Sequence, residues 1–259
     1  QLRDALAAVM REAGALARHT VSGPFKRWTK GADESPVSDG DIAVNDLLLA
    51  KLPPLVPGVA WLSEETAIVA QSDAPATWIV DPIDGTRAYI NGRDDWTISV
   101  ALAENGRPVL ASVFAPVADE MFLAVAGHGA TLNGEPIAVS SGHSLTGARL
   151  AGPLRYLKRL GEIDAGIAAQ PKVHSLALRL TRVAQGELDA AFASPGSHDW
   201  DLAAADLLVH EAGGVLTDFN GQPLRYNRPD VAHGALIAAG VARHGMLVEL
   251  VRDRQSEFA

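Results

Sequence analysis

The segment Trp78-Ile79-Val80-Asp81-Pro82-Ile83-Asp84-Gly85-Thr86 gathers the residue types that do chemistry. Its apolar run reads as a strand delivering Asp81 at its exit, and Pro82, which has no N–H to donate, is expected to stop the ladder there. Asp84 lies one turn further on, so the two carboxylates can converge on one point. Gly85 permits close backbone approach, Thr86 supplies a hydroxyl and an N–H, and Arg87 to Ile90 reads as one helical turn ended by Asn91-Gly92. Free backbone N–H groups at such a helix start attract anions. Two carboxylates beside an anion site need a cation to bridge them, and hard oxygen donors point to Mg²⁺ or Mn²⁺ with a phosphate alongside. Taken alone, the string also fits an ordinary strand-to-turn segment whose Asp and Gly serve turn chemistry.

Two further segments bear on that choice. Ser63-Glu64-Glu65-Thr66 follows a short strand, Val59 to Leu62. Neighbouring side chains in extended chain point to opposite sides, so one Glu can ligate a metal while the other addresses a second cation or its water shell. An isolated Glu-Glu pair is otherwise a solvated acidic loop. In His198-Asp199-Trp200-Asp201, Asp201 falls in the first turn of a helix expected from Asp201 to Ala212, where the helix dipole favours a carboxylate. Helix capping alone accounts for Asp199 and Asp201, and Asp206 reads as a surface or polar-contact residue. Gly127-His128-Gly129 starts like a dinucleotide fingerprint but has Leu132 at the third glycine position, so it reads as a turn. The eight histidines show no His-Glu-x-x-His zinc spacing, and there is no Gly-x-Ser-x-Gly elbow.

Around these residues the chain has to supply rigid elements. Its 259 residues suffice for one to two domains and a real core. With 22 Lys+Arg against 31 Asp+Glu, the net charge of −9 disfavours a nucleic-acid polymer as partner, because affinity for phosphate backbones comes from basic residues. The absence of cysteine excludes disulfides, Cys-ligated zinc, iron–sulfur clusters and thiol nucleophiles. No apolar run reaches the roughly 20 residues of a membrane span. Gln1 to Val21 reads as an amphipathic helix and not a signal peptide, so a cytoplasmic location is the default expectation, although a chain beginning with Gln1 leaves open what precedes it. Lys30 to Ser38 reads as a loop, and Ser38 with Asp41 as the capping box of a helix reaching about Leu52. Strands follow at Val59–Leu62, Thr77–Val80, Trp96–Ala103, Pro108–Phe114 and Met121–Val125, with turn signals at Asn105-Gly106 and Asn133-Gly134. Beyond a polar seam at Ser140 to Ser144 the elements alternate. Helices are expected at Ser175–Gln185, Asp201–Ala212 and Arg243–Arg252, and strands at Leu188–Ala193, Val215–Asp218 and Ala235–Ala239. The expectation is an α+β half, 1–142, carrying most of the candidate ligands, joined to an α/β half, 143–259, that supplies Asp201 and a substrate rim.

Taken together, the segments resemble the inositol monophosphatase superfamily of metal-dependent, lithium-sensitive phosphatases. The parts that match, in family order, are Lys30, Ser35 to Asp41, Ser63-Glu64-Glu65, Asp81 to Thr86, Trp200-Asp201 and Glu211-Ala212-Gly213-Gly214, which span nearly the whole chain. The resemblance implies a layered α-β-α-β-α sandwich shared with fructose bisphosphatases, commonly as a homodimer. It implies a first Mg²⁺ held by Glu64, Asp81 and the backbone carbonyl of Ile83, and a second held by Asp81, Asp84 and Asp201. Glu64 would also contact a third, weaker ion whose water Glu65 orients. Thr86, with Asp41 behind its hydroxyl, would activate the attacking water, and the N–H groups of Gly85 and Thr86 would bind phosphate. Mn²⁺ is the expected substitute. The physical logic agrees: a phosphate monoester dianion repels hydroxide, so its hydrolysis needs neutralised charge and positioning, which two metals about 4 Å apart supply.

The spacing of Asp81 and Asp84, with two residues between them, rules out the Asp-x-Asp-Gly-Thr signature of the haloacid-dehalogenase phosphatases. A phosphate-binding regulatory protein without catalysis is the alternative of another class, disfavoured because every expected ligand and the Thr86–Asp41 pair are present. Where inositol-preferring relatives carry a Glu before the Trp-Asp pair, this chain has Ser194. With His198 and Ser175, it makes up the expected substrate rim. Ser63-Glu64-Glu65 and Tyr89-Ile90-Asn91-Gly92 are similar to bacterial 3′(2′),5′-bisphosphate nucleotidases. The expected substrate is therefore a small phosphorylated metabolite, a bisphosphonucleotide or an inositol monophosphate, with histidinol phosphate and fructose bisphosphate as alternatives.

Overall fold

Alternating burial along the strands and one-sided burial along the helices sort the chain into five layers. The computed structural model describes residues 1–30, 35–66, 74 and 76–258. Helix α1 (Leu2–Ser22) buries Leu6, Met10, Ala13 and Ala17 on one stripe. Next comes an antiparallel ribbon of β1 (Arg27–Lys30) and β2 (Ser35–Ser38), so the stretch expected as a loop is strand at both ends, with 31–34 outside the described residues. A two-stranded ribbon leaves each strand a free edge, which is why Pro36 is tolerated opposite Thr29. Helix α2 (Asp39–Lys51) starts with the expected capping box. The Ser38 hydroxyl accepts from the Gly40 N–H at 3.2 Å, and Asp41 Oδ2 accepts from the Ser38 N–H at 2.8 Å.

A seven-stranded sheet follows in chain order: β3 (Ala60–Ser63), β4 (Ala76–Asp84), β5 (Thr97–Glu104), β6 (Arg107–Ala115), β7 (Glu120–Val125), β8 (Ala130–Leu132) and β9 (Glu135–Pro136). Only β3 and β4 run parallel; the other neighbours are antiparallel. Asn105 and Gly106 join β5 to β6 with φ of 51° and 73°, the doubly positive turn that suits the twist of a hairpin. The short helix α3 (Thr86–Ile90) leaves the end of β4. The second half adds β10 (Arg149–Ala151), α4 (Leu154–Ile163), β11 (Ala168–Ala169), α5 (Leu176–Ala184), β12 (Ala190–Ala193), α6 (Asp199–Glu211), β13 (Gly214–Asp218), β14 (Leu236–Gly240), α7 (Val241–Arg252) and α8 (Gln255–Phe258). Its five-stranded sheet has the order β11-β10-β12-β14-β13 and mixes parallel with antiparallel pairs.

Side-chain alternation assigns the layers. In β4, Trp78 and Val80 join the cluster of Leu6, Met10, Val44 and Leu48 from α1 and α2, while Ile79 joins Leu180, Leu202 and Leu208 from α5 and α6. In β14, Leu236 and Ala238 face that same α5/α6 layer, while Ile237 and Ala239 pack with Tyr156, Leu160 and Leu247 from α4 and α7. The order is α1/α2, seven-stranded sheet, α5/α6, five-stranded sheet, α4/α7/α8, which is the expected α-β-α-β-α sandwich.

Two expectations need correcting because they bear on the site. Pro82 does not end the strand: β4 continues to Asp84 through an irregularity in its pairing with β5. Helix α6 begins at Asp199, two positions before the expected start, which puts Asp201 third in the helix.

The close approach of α2 to α3 is set by Gly40. A Cβ there would lie 2.3 Å from the Tyr89 hydroxyl, which is held in place by donating to the Ala17 carbonyl at 2.7 Å. Tyr89 also packs edge-on against Trp96 at 4.8 Å and has little room to retreat. Gly40→Ala is therefore expected to lower stability by about 1–3 kcal/mol, read as a fall in the denaturant midpoint with unchanged m. An unchanged midpoint would show that the α2–α3 contact gives way freely.

Candidate metal centre and active site

Three residues apart on a regular strand, Asp81 and Asp84 would point to opposite faces of the sheet. The pairing with β5 prevents this. Asp81 lies opposite Ser99 and Asp84 opposite Thr97, so β4 fits one extra residue between these partners. Such a bulge reverses the parity of the strand and re-aims side chains. Among the described residues, Asp81, Asp84 and Asp201 form a group whose carboxylate atoms all lie within 4.8 Å of one another. The convergence expected from a turn is thus achieved by a bulge. Asp81 Oδ1 accepts from the Ile83 N–H at 3.0 Å, which holds the bulged loop.

Asp84 is fixed from the other half of the chain. Its Oδ2 accepts from the Ser175 hydroxyl and from the Ala177 N–H, both at 2.6 Å, at the start of α5. Ser175 is fully buried, caps α5 by accepting from the Leu178 N–H at 2.9 Å, and touches Thr97 Oγ1 at 2.9 Å. It does not lie on the substrate rim; it stands behind Asp84 as its support. Ser194 is exposed on the wall of a cavity that Asp201 also lines. Asp201 Oδ2 accepts from the His198 N–H at 2.6 Å, and the His198 ring stacks on Trp200 at 4.8 Å.

Glu64 and Glu65 follow β3, whose pairing with β4 continues one step through the Glu64 N–H to the Val80 carbonyl at 3.2 Å. Lys30 lies 3.2 Å from Glu64 Oε1 and also pairs with Glu65, so it is a partner of the acidic loop and not simply solvated. Burial works against the Lys30 charge, but the two glutamates hold its pKa above the usual lysine value. Thr86 Oγ1 lies 3.0 Å from Asp41 Oδ1 and 3.1 Å from the Ile83 carbonyl. The other Asp41 oxygen is held by the Ser38 N–H and hydroxyl at 2.8 and 2.6 Å. Gly85 adopts φ 92°, and a Cβ there would sit 3.2 Å from the Ser175 nitrogen, so glycine is needed on both counts.

Electrostatics supply the fit test for a cation. Burial, reinforced by the Asp201 charge, pushes Asp84 up to about 7. Burial also raises Glu64 to about 7, Lys30 opposing and Glu65 and Asp201 adding to the shift. Asp81 is raised well above the carboxylate range by burial and then by Glu64 and Asp84. Asp41 is raised to about 6 by burial, against its Ser38 hydrogen bonds. An all-oxygen cluster this crowded suits a hard divalent cation.

Several contributors carry no motif. Asn45, one helical turn beyond Asp41 on the buried face of α2, accepts from the Ser63 hydroxyl at 2.7 Å and so anchors the glutamate loop. The four-residue polar spacing within an otherwise buried helix face was its signal. Asp199 is buried and lies 2.7 Å from His233 Nε2, while accepting from the Asn227 N–H at 2.6 Å. It ties the segment before β14 to the start of α6, beyond simple capping. Asp206 accepts from the Tyr226 hydroxyl at 2.8 Å, the polar contact expected of it. Gly127 and Gly129 do form a turn, their N–H groups donating to Glu211 at 2.9 and 2.8 Å.

A pH dependence follows. Because these carboxyls bind protons more tightly folded than unfolded, their contribution to metal-free stability is fully present below about pH 4 and is lost as pH rises through about 7. A divalent cation held by the cluster would bind its deprotonated form, so Mg²⁺ is expected to raise the melting temperature much more at pH 8 than at pH 5. A metal-free melting temperature that climbs between pH 5 and pH 8 would contradict this charge arrangement.

Comparison with known proteins agrees with the architecture. Residues 1–256 match the inositol monophosphatase family. Inositol-1-monophosphatase of Mesorhizobium japonicum is 31% identical over 234 residues, 85% of this chain and 87% of that protein. The Nus factor SuhB of Escherichia coli K12 is 32% identical over 222 residues, 82% of each. The solved Thermotoga maritima IMPase superposes with a TM-score of 0.85 at 26% identity, covering 97% of both chains. The chain belongs to the inositol monophosphatase family.

Proposed function

We propose that this phosphatase-family chain is a Mg²⁺-dependent phosphomonoesterase whose substrate is a small phosphorylated metabolite, a 3′(2′),5′-bisphosphonucleotide in preference to an inositol monophosphate. The observation that supports it most is the convergence of Asp81, Asp84 and Asp201 within 4.8 Å, with Thr86 Oγ1 3.0 Å from Asp41. Glu64, Asp81 and the Ile83 carbonyl would hold one ion, and Asp81, Asp84 and Asp201 a second, with Mn²⁺ able to replace Mg²⁺. When bound, the metal supplies charge neutralisation to the phosphate and lowers the pKa of the attacking water.

The protein's own groups do the positioning. Thr86 Oγ1 directs its proton to Asp41 Oδ1, which leaves a lone pair to accept the proton of the attacking water. The second Asp41 oxygen is occupied by Ser38, so the carboxylate keeps a fixed direction. The Gly85 and Thr86 N–H groups at the left-handed turn would receive phosphate oxygens, and Glu65, beside Glu64 and paired with Lys30, would help hold a third, weaker ion. His198 borders the leaving alcohol. Its pKa is raised, chiefly by the Asp201 carboxylate, which favours a cationic imidazolium beside an anionic substrate. Relatives named as a Nus factor lend weight to a regulatory reading, but retention of Glu64, Asp81, Asp84, Asp201, Thr86 and Asp41 favours catalysis, since a buried acidic cluster is costly without cations.

Two measurements test this reading. Asp84→Asn keeps an acceptor oxygen for Ser175 and Ala177 but removes the ligand charge. Turnover is expected to fall at least about 100-fold, while metal-free stability at pH 8 does not drop. Near-parental turnover would reject the ligand assignment. For the substrate, Ser194 in place of an acid offers no carboxylate to a polyol. Adenosine 3′,5′-bisphosphate is therefore expected to match or exceed inositol 1-phosphate in kcat/KM, and Ser194→Glu to move the ratio toward inositol phosphate. A clear parental preference for inositol 1-phosphate would overturn the nucleotide assignment and leave the phosphatase chemistry standing.

A further inference from the structure

Asp84 is supported by the start of α5, and that start is itself held by the half of the chain to which Asp84 belongs. The turn between α3 and β5 carries Asp95, which holds the two residues leading into α5. Its Oδ2 accepts from the His174 N–H at 2.8 Å and lies 2.7 Å from the ring nitrogen Nδ1 of the same residue. Its backbone carbonyl accepts from the Ser175 N–H at 3.1 Å. Two positions on, Thr97 Oγ1 lies 2.9 Å from Ser175 Oγ, and Thr97 is also the residue paired with Asp84 between β4 and β5. Side chains two apart in extended chain share a face, so Asp95 and Thr97 grip His174 and Ser175 from one side.

The grip bears on the site at two points. Ser175 Oγ and the Ala177 N–H donate to Asp84 Oδ2, so the direction of that carboxylate follows the position of the α5 start. Gly85 rests on the same backbone. A Cβ at Gly85 would lie 3.2 Å from the Ser175 nitrogen and 3.4 Å from the Asp95 carbonyl oxygen. One hydrogen-bonded seat therefore backs a candidate metal ligand and a candidate phosphate donor. Helix formation does not call for it, because Ser175 already caps α5 through the Leu178 N–H. The N–H groups that Asp95 holds belong to His174 and Ser175, ahead of the helix, and they fix where α5 starts.

Asp95 is suited to anchor them. Its side chain is 21% exposed, and its other oxygen accepts from Arg93 Nε at 3.0 Å. Burial works against its charge, but His174 and Arg93 together hold its pKa below the usual aspartate value. An ionised acceptor makes shorter and stronger hydrogen bonds than a neutral one.

We propose that Asp95 is a positioning residue for the metal centre: by seating His174 and Ser175 it aims the Asp84 carboxylate at the second ion and keeps the Gly85 turn against its backing. This rests on the metal-dependent reading of the acidic cluster, and it is measurable without turnover.

The test titrates Mg²⁺ calorimetrically into the substrate-free full-length chain. Asp84→Asn identifies the part of the isotherm that belongs to the ion Asp84 would hold. The Mg²⁺ concentration for half-maximal phosphate release is measured in parallel. Asp95→Ala is expected to weaken that binding by about 10-fold, the loss usual for a group that orients a metal ligand. Half-activating Mg²⁺ is expected to rise by the same factor, while kcat at saturating Mg²⁺ falls less than about threefold. Asp95→Asn keeps an acceptor oxygen for His174 and is expected to recover most of the affinity. His174→Ala keeps the backbone N–H, loses the ring contact, and is expected to cost about threefold, which carries the test should Asp95→Ala fail to fold. Arg93→Gln removes the bond on the far side of Asp95 and is expected to leave the affinity unchanged. Val251→Ala opens a cavity in the outer α4/α7/α8 layer and supplies a variant of lowered stability with parental Mg²⁺ affinity. Parental affinity in Asp95→Ala, or in His174→Ala where that variant carries the test, would overturn the positioning role. So would an equal loss in Val251→Ala, which marks a general effect of stability. A parent that takes up no Mg²⁺, or an isotherm that Asp84→Asn leaves intact, would instead overturn the metal reading on which the role depends, and either is seen before any change at Asp95.

Discussion

Mutual repulsion among Asp81, Asp84, Asp201 and Glu64 is the term against which the rest of the molecule is arranged. Taking several carboxylates out of water within a few ångströms of one another is expensive, and each is paired with a directed partial positive charge that offsets only part of the cost. Asp201 sits in the first turn of α6, at the positive end of a thirteen-residue helix. Asp84 receives a hydroxyl and an N–H from the opening of α5, Asp81 receives the Ile83 N–H, and Glu64 leans on Lys30. None of these partners except Lys30 carries a full charge, so the cluster remains short of cation, which is the condition for holding one. The helix layer between the two sheets has a reason in this: it is where two helix starts can be aimed at one sheet edge.

The same reasoning explains which parts of the site could be read from the chain alone. Asp81, Asp84 and the Glu64-Glu65 pair declare themselves by type, because clustered acids beside Gly-Thr have few other uses. How Asp81 and Asp84 come to face the same way was not legible, since parity in a strand depends on the register of its neighbour, and the extra residue opposite Ser99 and Thr97 is a property of the pair β4–β5. Nothing in the sequence around Ser175 separates a rim position from a buried one; only the packing of α5 against β5 shows it buried behind Asp84.

Elements were legible in proportion to their length and punctuation. α2 announces itself through Ser38 and Asp41, and the β5–β6 hairpin through Asn105-Gly106. β10 and β11, strands of three and two residues, show no period, and α4, although amphipathic, follows Pro153 with no side-chain cap to mark its start. The ribbon β1–β2 was hidden by its polar composition. β10 is held between β11 and β12, α4 packs with α7 and α8, and the ribbon rests on α2 and α3, so each conformation is decided by its packing partners.

The bond from Ser175 and Ala177 to Asp84 has a consequence for the history of each molecule. The seven-stranded sheet can be synthesised and paired before α5 and α6 exist, but Asp84 then lacks its supports and Asp81 lacks Asp201. Contacts of such long sequence separation form late, because a large loop must close before they return anything. Until then the acidic edge of β4 stays open to water and can hold an ion only loosely. Tight uptake of the proposed metal would therefore be the last act of assembly, a seal that closes over both sheets at once and registers, for any single chain, that its C-terminal half has docked.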